Sequence, residues 1–203
     1  MKMAEFEKVK DMTYLEYCDY LQEKYGIGRA DYMTREFNKN RKVTRTSDGL
    51  IAHHKAEDKM TLLSTKDVAR TCPYEWQKKE NIVYCDYLEH LLLHVLICKY
   101  PSRDKHPLAD VGIGGVISFI IPELNDLYSG WVSKQAWRNN CHMIVTGDKE
   151  VYLHILKMFI AYLQEERGFV DKEILHTSFN DIFGGWSREQ NMKLYAEIDS
   201  LWK

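Results

Sequence analysis

The stretch from Asp86 to Lys99, DYLEHLLLHVLICK, constrains the fold more than any other part of the chain. Leu88, Leu91, Leu92, Val95 and Leu96 recur at i, i+3, i+4, i+7 and i+8, the spacing of a helix with one apolar side, and Pro101 ends it. At about 100° per residue, His90 and His94 fall within about 40° of each other on the helix wheel. Their shared face is turned roughly 150° from the centre of the leucine stripe, outside the main apolar seam. Leu93 and Ile97 lie beside them, which implies that this second face is covered as well.

Such a helix needs a core to pack into, and the composition supplies one. Of 203 residues, 45% are hydrophobic and 29% charged, which excludes disordered and fibrous classes. That length accommodates one sizeable core, or a small catalytic module carrying a helical extension. The five cysteines, Cys18, Cys72, Cys85, Cys98 and Cys141, include no C-x-x-C pair, so reduced and mostly buried thiols are expected rather than disulfides or a zinc ribbon. The N-terminal MKMAEFEKVKDM lacks the continuous apolar core of a secretory signal. The longest apolar run, VISFIIP from Val116 to Pro122, falls far short of the roughly 20 residues that span a bilayer. A cytoplasmic protein with no membrane partner is expected.

The rest of the chain reads as α+β and mainly α-helical. A helix is predicted from Thr13 to Tyr25, opened by a Thr13/Glu16 capping box and stopped by Gly26, with its tyrosines in the core. The sequence VTRTSDGLIAHH reads as a β-hairpin, with a Ser47-Asp48-Gly49 turn and His53-His54 at the end of its second strand. Short helical turns are expected between Ser64 and Glu80. Further helices are expected near Gly115 to Tyr128, Lys149 to Arg167, and Ser187 to Trp202, the last with Ser187 and Gln190 in capping-box spacing. Gly112-Ile113-Gly114-Gly115 has no following Lys-Ser or Lys-Thr, so it reads as the start of a helix rather than a phosphate loop. Three segments result: 1–42 with the first helix and a basic stretch, 43–100 with the hairpin and the two-histidine helix, and a helical 101–203 packed on them.

Two histidines at i, i+4 can both present a ring nitrogen to one cation. A third ligand must come from elsewhere, and His53-His54 is the other paired site among the eight histidines. Neighbours on a strand point to opposite sides, so one of the two can bind metal while the other meets a water. Asp86 and Glu89 are candidates for fixing imidazole tautomers, with exposed helix charge as the ordinary alternative.

The combination Ala52-His53-His54, Glu80-Asn81-Ile82-Val83-Tyr84 and Glu89-His90-Leu91-Leu92-Leu93-His94 resembles the HNH endonucleases, also called ββα-metal or His-Me finger nucleases. The all-histidine metal set is most similar to the branch that includes the nuclease colicins. The resemblance covers Val43 to Cys98 and implies a small ββα-metal core embedded in a helical protein. It implies His54 as general base, Asn81 as the residue that braces the loop and orients that base, and His53, His90 and His94 as metal ligands. The chain departs from the pattern in the 26 residues between His54 and Asn81, and in Ala52, where many relatives carry an aspartate ligand. The shift from oxygen towards nitrogen ligation binds zinc, nickel or cobalt readily and magnesium more weakly, so the one divalent ion expected is magnesium, manganese, zinc or nickel.

The function expected is therefore metal-dependent hydrolysis of phosphodiester bonds in nucleic acid, with double-stranded DNA as the expected partner. The net charge of -2 gives no global attraction to a polyanion, so contact must be local. Arg29, Arg35, Lys39, Arg41, Lys42 and Arg45 face only Asp31 and Glu36 in their stretch and are the candidate phosphate contacts. Two other functions remain open. One is a binding or inhibitor protein of phage or bacterial conflict that keeps the scaffold without cleaving, with the C-terminal helices as a protein-partner surface. The other is a helical module with a structural metal.

Overall fold

In the computed structural model, which describes residues 1–107, 109–168, 171–180 and 188–202, Asp86 and Glu89 cap each other. The Asp86 carboxylate accepts from the Glu89 amide (2.8 Å) and the Glu89 carboxylate accepts from the Asp86 amide (2.7 Å). This reciprocal pair satisfies two otherwise orphaned donors and starts the central helix, Tyr87–Lys99. Both acids are buried, so they are neither exposed helix charges nor imidazole partners; Lys24 (2.7 Å) and Tyr25 (3.1 Å) donate to Glu89. From Tyr87 to Cys98 every residue of this helix is buried except His90, which is half-buried. Each leucine removed from water contributes roughly 1.5–3 kcal/mol.

The elements that surround it make an α+β, mainly helical fold. They are α1 (Met3–Val9), α2 (Tyr14–Tyr25), β1 (Ile51–His54), α3 (Lys66–Thr71), β2 (Ile82–Cys85) and the central helix, α4. After these come α5 (Ile121–Tyr128), α6 (Ala136–Met143), α7 (Lys149–Arg167) and α8 (Arg188–Asp199). The expected Thr13/Glu16 capping box opens α2, which buries Tyr14, Tyr17, Cys18 and Leu21. One continuous cluster of buried side chains joins α1, α2, α4, α5, α7 and α8, from Phe6 through Phe159 to Ile198. All five cysteines are free. Ser187, the expected cap of the last helix, lies outside the described residues. No helix among those described is long and apolar enough to cross a membrane.

The hairpin differs from the sequence expectation. Residues 41–43 and 46–48 form 3-10 turns, and the Ser47-Asp48-Gly49 turn closes only a single bridge, Arg45 with Leu50. β1 pairs instead with β2, antiparallel, with Ile51 opposite Cys85 and His54 opposite Ile82. The physical reason lies in β2. Its four residues are all buried, an apolar run that offers β1 a covered edge, whereas the 43–47 stretch offers Val43 as its one buried side chain. The segment between the strands loops out as α3 and three short 3-10 turns.

Before α5 the chain makes one α-turn, Ile113–Gly115, and then widens to π-winding over Val116–Ile120. Pro122 has no amide hydrogen to donate into an ordinary α-ladder, which accounts for the wider winding immediately before it. The glycine run is thus a helix start, as its sequence implied.

Candidate metal centre

β1 ends against α4, and this junction brings the histidines together. One ring nitrogen each from His53, His90 and His94 lies within 4.8 Å of the others, a group that could hold a metal ion. For His53 and His94 the hydrogen bonds around the rings indicate which nitrogen that is. His53 Nε2 lies 2.8 Å from the Tyr14 hydroxyl, whose own proton has the carbonyls of His54 and Lys55 (both 3.2 Å) to go to. His53 Nε2–H therefore donates to Tyr14, and the Nδ1 lone pair faces the group. His94 Nδ1–H donates to the Gly112 carbonyl (3.2 Å), leaving Nε2 as its free lone pair. His53 Nδ1 and His90 Nδ1 are both buried and have no hydrogen-bond partner. Burial drives His53 down to about 3, against the opposing charge of Glu57. Burial also drives His90 well below the ordinary histidine range, helped by His94 and His53. Both rings are neutral at pH 7, the form that ligates metal.

A fourth group was not read from the sequence. Glu57, in the 3-10 turn Lys55–Asp58, places Oε2 3.6 Å from His53 Nδ1 and 3.3 Å from His94 Nε2. Its other oxygen lies 3.6 Å from His54 Nδ1. Burial alone would raise this carboxyl, but His53, His54 and His94 around it hold it well below the usual carboxylate range. Three imidazole nitrogens gathered within one group and a carboxylate oxygen beside two of them are a donor set of the kind that binds zinc, so the residues present fit a metal ion. The signal for Glu57 was its position at i+4 from His53 and i+3 from His54, which becomes proximity only if the chain coils straight after the strand.

His54 points to the other side of β1, as strand geometry requires. It is buried, its ring centroid 4.3 Å from that of Tyr32, and its Nε2 lies 3.2 Å from Gln77 Oε1. Gln77 Nε2 donates to the Leu63 carbonyl (3.1 Å), which turns Oε1 towards His54 and makes His54 Nε2–H the donor. His54 Nδ1 lies on the Glu57 side of the ring, 3.6 Å from Oε1. Asn81 stands one residue before the partner of His54 in β2, and its amide donates to the Glu75 carbonyl (2.8 Å), tying down the turn that carries Gln77.

No protein-family model, curated protein or solved structure matches the chain.

A cleft of about 560 Å³ opens beside the centre. Ala52 of β1 and Tyr87 and His90 of α4 line it, and so do Lys39 and Arg45, two of the six expected phosphate contacts. The other four lie elsewhere. Arg29 pairs with Asp48 (3.0 Å), Arg35 stacks on Tyr74 (4.1 Å from the ring centroid), and Arg41 and Lys42 are exposed in their 3-10 turn. Arg45 is itself committed, to Asp48 (3.0 Å) and to the Tyr25 carbonyl (2.7 Å). From the C-terminal half, Glu123 reaches the cleft while accepting from Arg138 (2.5 Å) and His142 (2.6 Å). His142 showed no partner spacing in the sequence because Glu123 lies on a different helix.

Gly115 sets the position of His94. A β-carbon there would lie 2.4 Å from His94 Cε1 and Nδ1, so the ring fits only because this residue has no side chain. Gly115→Ala is expected to push the imidazole off the Gly112 carbonyl and weaken zinc binding about 10–100-fold, the usual effect of losing a ligand's orienting contact. Isothermal titration with zinc measures this; unchanged affinity would show that His94 is not a ligand.

Proposed function

We propose that the chain is a metal-dependent nuclease whose centre is His53, His90, His94 and Glu57, with His54 as its general base. The observation that carries this reading is the pair of buried, unpartnered imidazole nitrogens, His53 Nδ1 and His90 Nδ1, beside a cleft into which His90 opens. The order strand, strand, helix supports it, as does the resemblance of the His-His, Asn and His-x-x-x-His elements to the HNH nucleases. A divalent ion held there would polarise a phosphodiester and stabilise the charge of the leaving oxygen. Tyr14 and Gly112 fix the tautomers of two ligands in advance. His54, held by Gln77 through Nε2, would take a proton from an attacking water. Three imidazoles favour zinc or nickel, and the Glu57 oxygen brings manganese within range.

The test sets purified protein with magnesium, manganese, zinc or nickel against supercoiled plasmid, single-stranded DNA and RNA in parallel. Cleavage that chelation abolishes supports the reading. Intact substrates under every condition overturn it.

A structural metal is the second reading, favoured by one observation: Glu57 adds a fourth protein donor to three imidazoles in a buried setting. It requires that chelation lower the melting temperature sharply while no substrate is cut.

A further inference from the structure

The cleft beside the metal group carries aromatic side chains that the fold does not use. Phe119 is 56% exposed and Trp137 45% exposed, yet both line this cavity. Phe119 projects from the π-wound stretch and Trp137 from the first turn of α6, so two separate elements present flat apolar faces to one space. Phe179 lines it as well, with the Arg138 guanidinium 5.4 Å from its ring centroid. Arg138 is held in turn by Glu123 and by Asp126 (3.0 Å), which stiffens that side of the cleft.

The charge of the lining is positive. Lys39 and Arg45 contribute cations, Arg45 sharing its charge with Asp48, and the carboxylate among the lining residues, Glu123, is paired with Arg138 and accepts from His142. A ligand complementary to all of this is a flat aromatic ring joined to an anion, with the anion reaching the His90 end. A volume of about 560 Å³ lies within the range of roughly 300–1,000 Å³ typical of small-ligand sites.

We propose that this cleft receives an unstacked nucleobase of the strand to be cut, laid on Trp137 and Phe119, with its neighbouring phosphate at the metal group. The proposal rests on the nuclease reading and names its substrate: a single strand, or a duplex from which one nucleotide is flipped. Within a helix both faces of a base are already stacked, so the aromatic faces can engage it only once it has left the stack.

Binding of the whole chain, loaded with zinc, is measured by fluorescence anisotropy. The ligands are a labelled phosphorothioate single strand, the same strand in a blunt duplex, and that duplex with one bulged base. The single strand is expected to bind at least about tenfold more tightly than the blunt duplex. Trp137→Ala is expected to weaken single-strand binding about 5–100-fold, the usual range for one lost base stack, while Trp137→Phe retains most of it. Both aromatics are exposed, so the truncations leave the core intact, which circular dichroism verifies. Tight, Trp137-dependent binding of the bulged duplex identifies a flipped base; binding restricted to the free strand identifies a single-stranded substrate.

Equal affinity for blunt duplex and single strand overturns the proposal, and so does single-strand binding unchanged in both Trp137→Ala and Phe119→Ala. The nuclease reading fails separately. Trp137-dependent binding with no cleavage under any metal removes the activity and keeps the base site, whereas cleavage indifferent to Trp137 and Phe119 keeps the activity and removes the base site.

Discussion

Replacing His90 by alanine is expected to weaken zinc binding by more than about 100-fold, beyond the 10–100-fold usual for losing a supporting contact. His90 is the informative ligand to remove. It is half-buried where His53 and His94 are enclosed, so truncation leaves the smallest hole. It also discards an imidazole whose Nδ1 is buried without a partner, so the metal-free variant should be at least as stable as the metal-free parent. The difference should emerge only on adding metal: at a hundred times its dissociation constant, zinc stabilises a folded protein by about 2.7 kcal/mol, and the variant should forfeit that gain. Thermal melts with and without zinc, together with metal content by mass spectrometry, give the measurement. One tightly held equivalent of zinc in His90→Ala would show that the histidine group is not the metal centre.

The residues of this centre were not equally visible in the sequence. α4 declared itself because its apolar stripe from Leu88 to Leu96 keeps helical spacing over more than two turns, and the same spacing puts His90 and His94 together without reference to any other element. His53 was visible as part of a pair, although only the bond from its Nε2 to Tyr14 shows which nitrogen is free. Glu57 stood in plain sight but has no periodic signature. Its contact depends on a 3-10 turn beginning at Lys55, a local choice that propensities do not encode.

The strand pairing was misread for a related reason. A Ser-Asp-Gly turn between two short runs is the strongest local hairpin signal available, so it outcompeted a partner strand that begins 28 positions after His54. Ile82–Cys85 wins in the folded chain because burial of all four residues is a long-range property. The Glu123–Arg138–His142 contact escaped for the same cause, since its members come from two helices whose packing no single window contains. The basic run shows the converse. A local excess of charge was real, yet Asp48 draws in Arg29 and Arg45, and the ring of Tyr74 takes Arg35, leaving Lys39 as the least committed cation at the cleft.

Replacing His54 should separate proton transfer from metal binding. His54→Ala, and the bulkier His54→Gln as a guard against cavity effects at this buried position, are expected to lower the cleavage rate about 10²–10⁴-fold while zinc affinity stays near that of the parent. The geometry supports that separation: His54 points away from His90 and His94 across β1, and it meets the centre only through Glu57, 3.6 Å from Nδ1. Gln77→Leu supplies the graded control. It removes the acceptor of His54 Nε2–H and leaves the ring free to take the other tautomer, so the rate should fall by a smaller factor, with a displaced pH profile and an unchanged metal content. Were His54 only a packing residue beneath Tyr32, both His54 variants would lose thermal stability and metal together, and Gln77→Leu would leave the pH profile of cleavage where it was. A parallel fall in zinc affinity and rate would make His54 part of the ligand shell through Glu57 and transfer the role of base to another group.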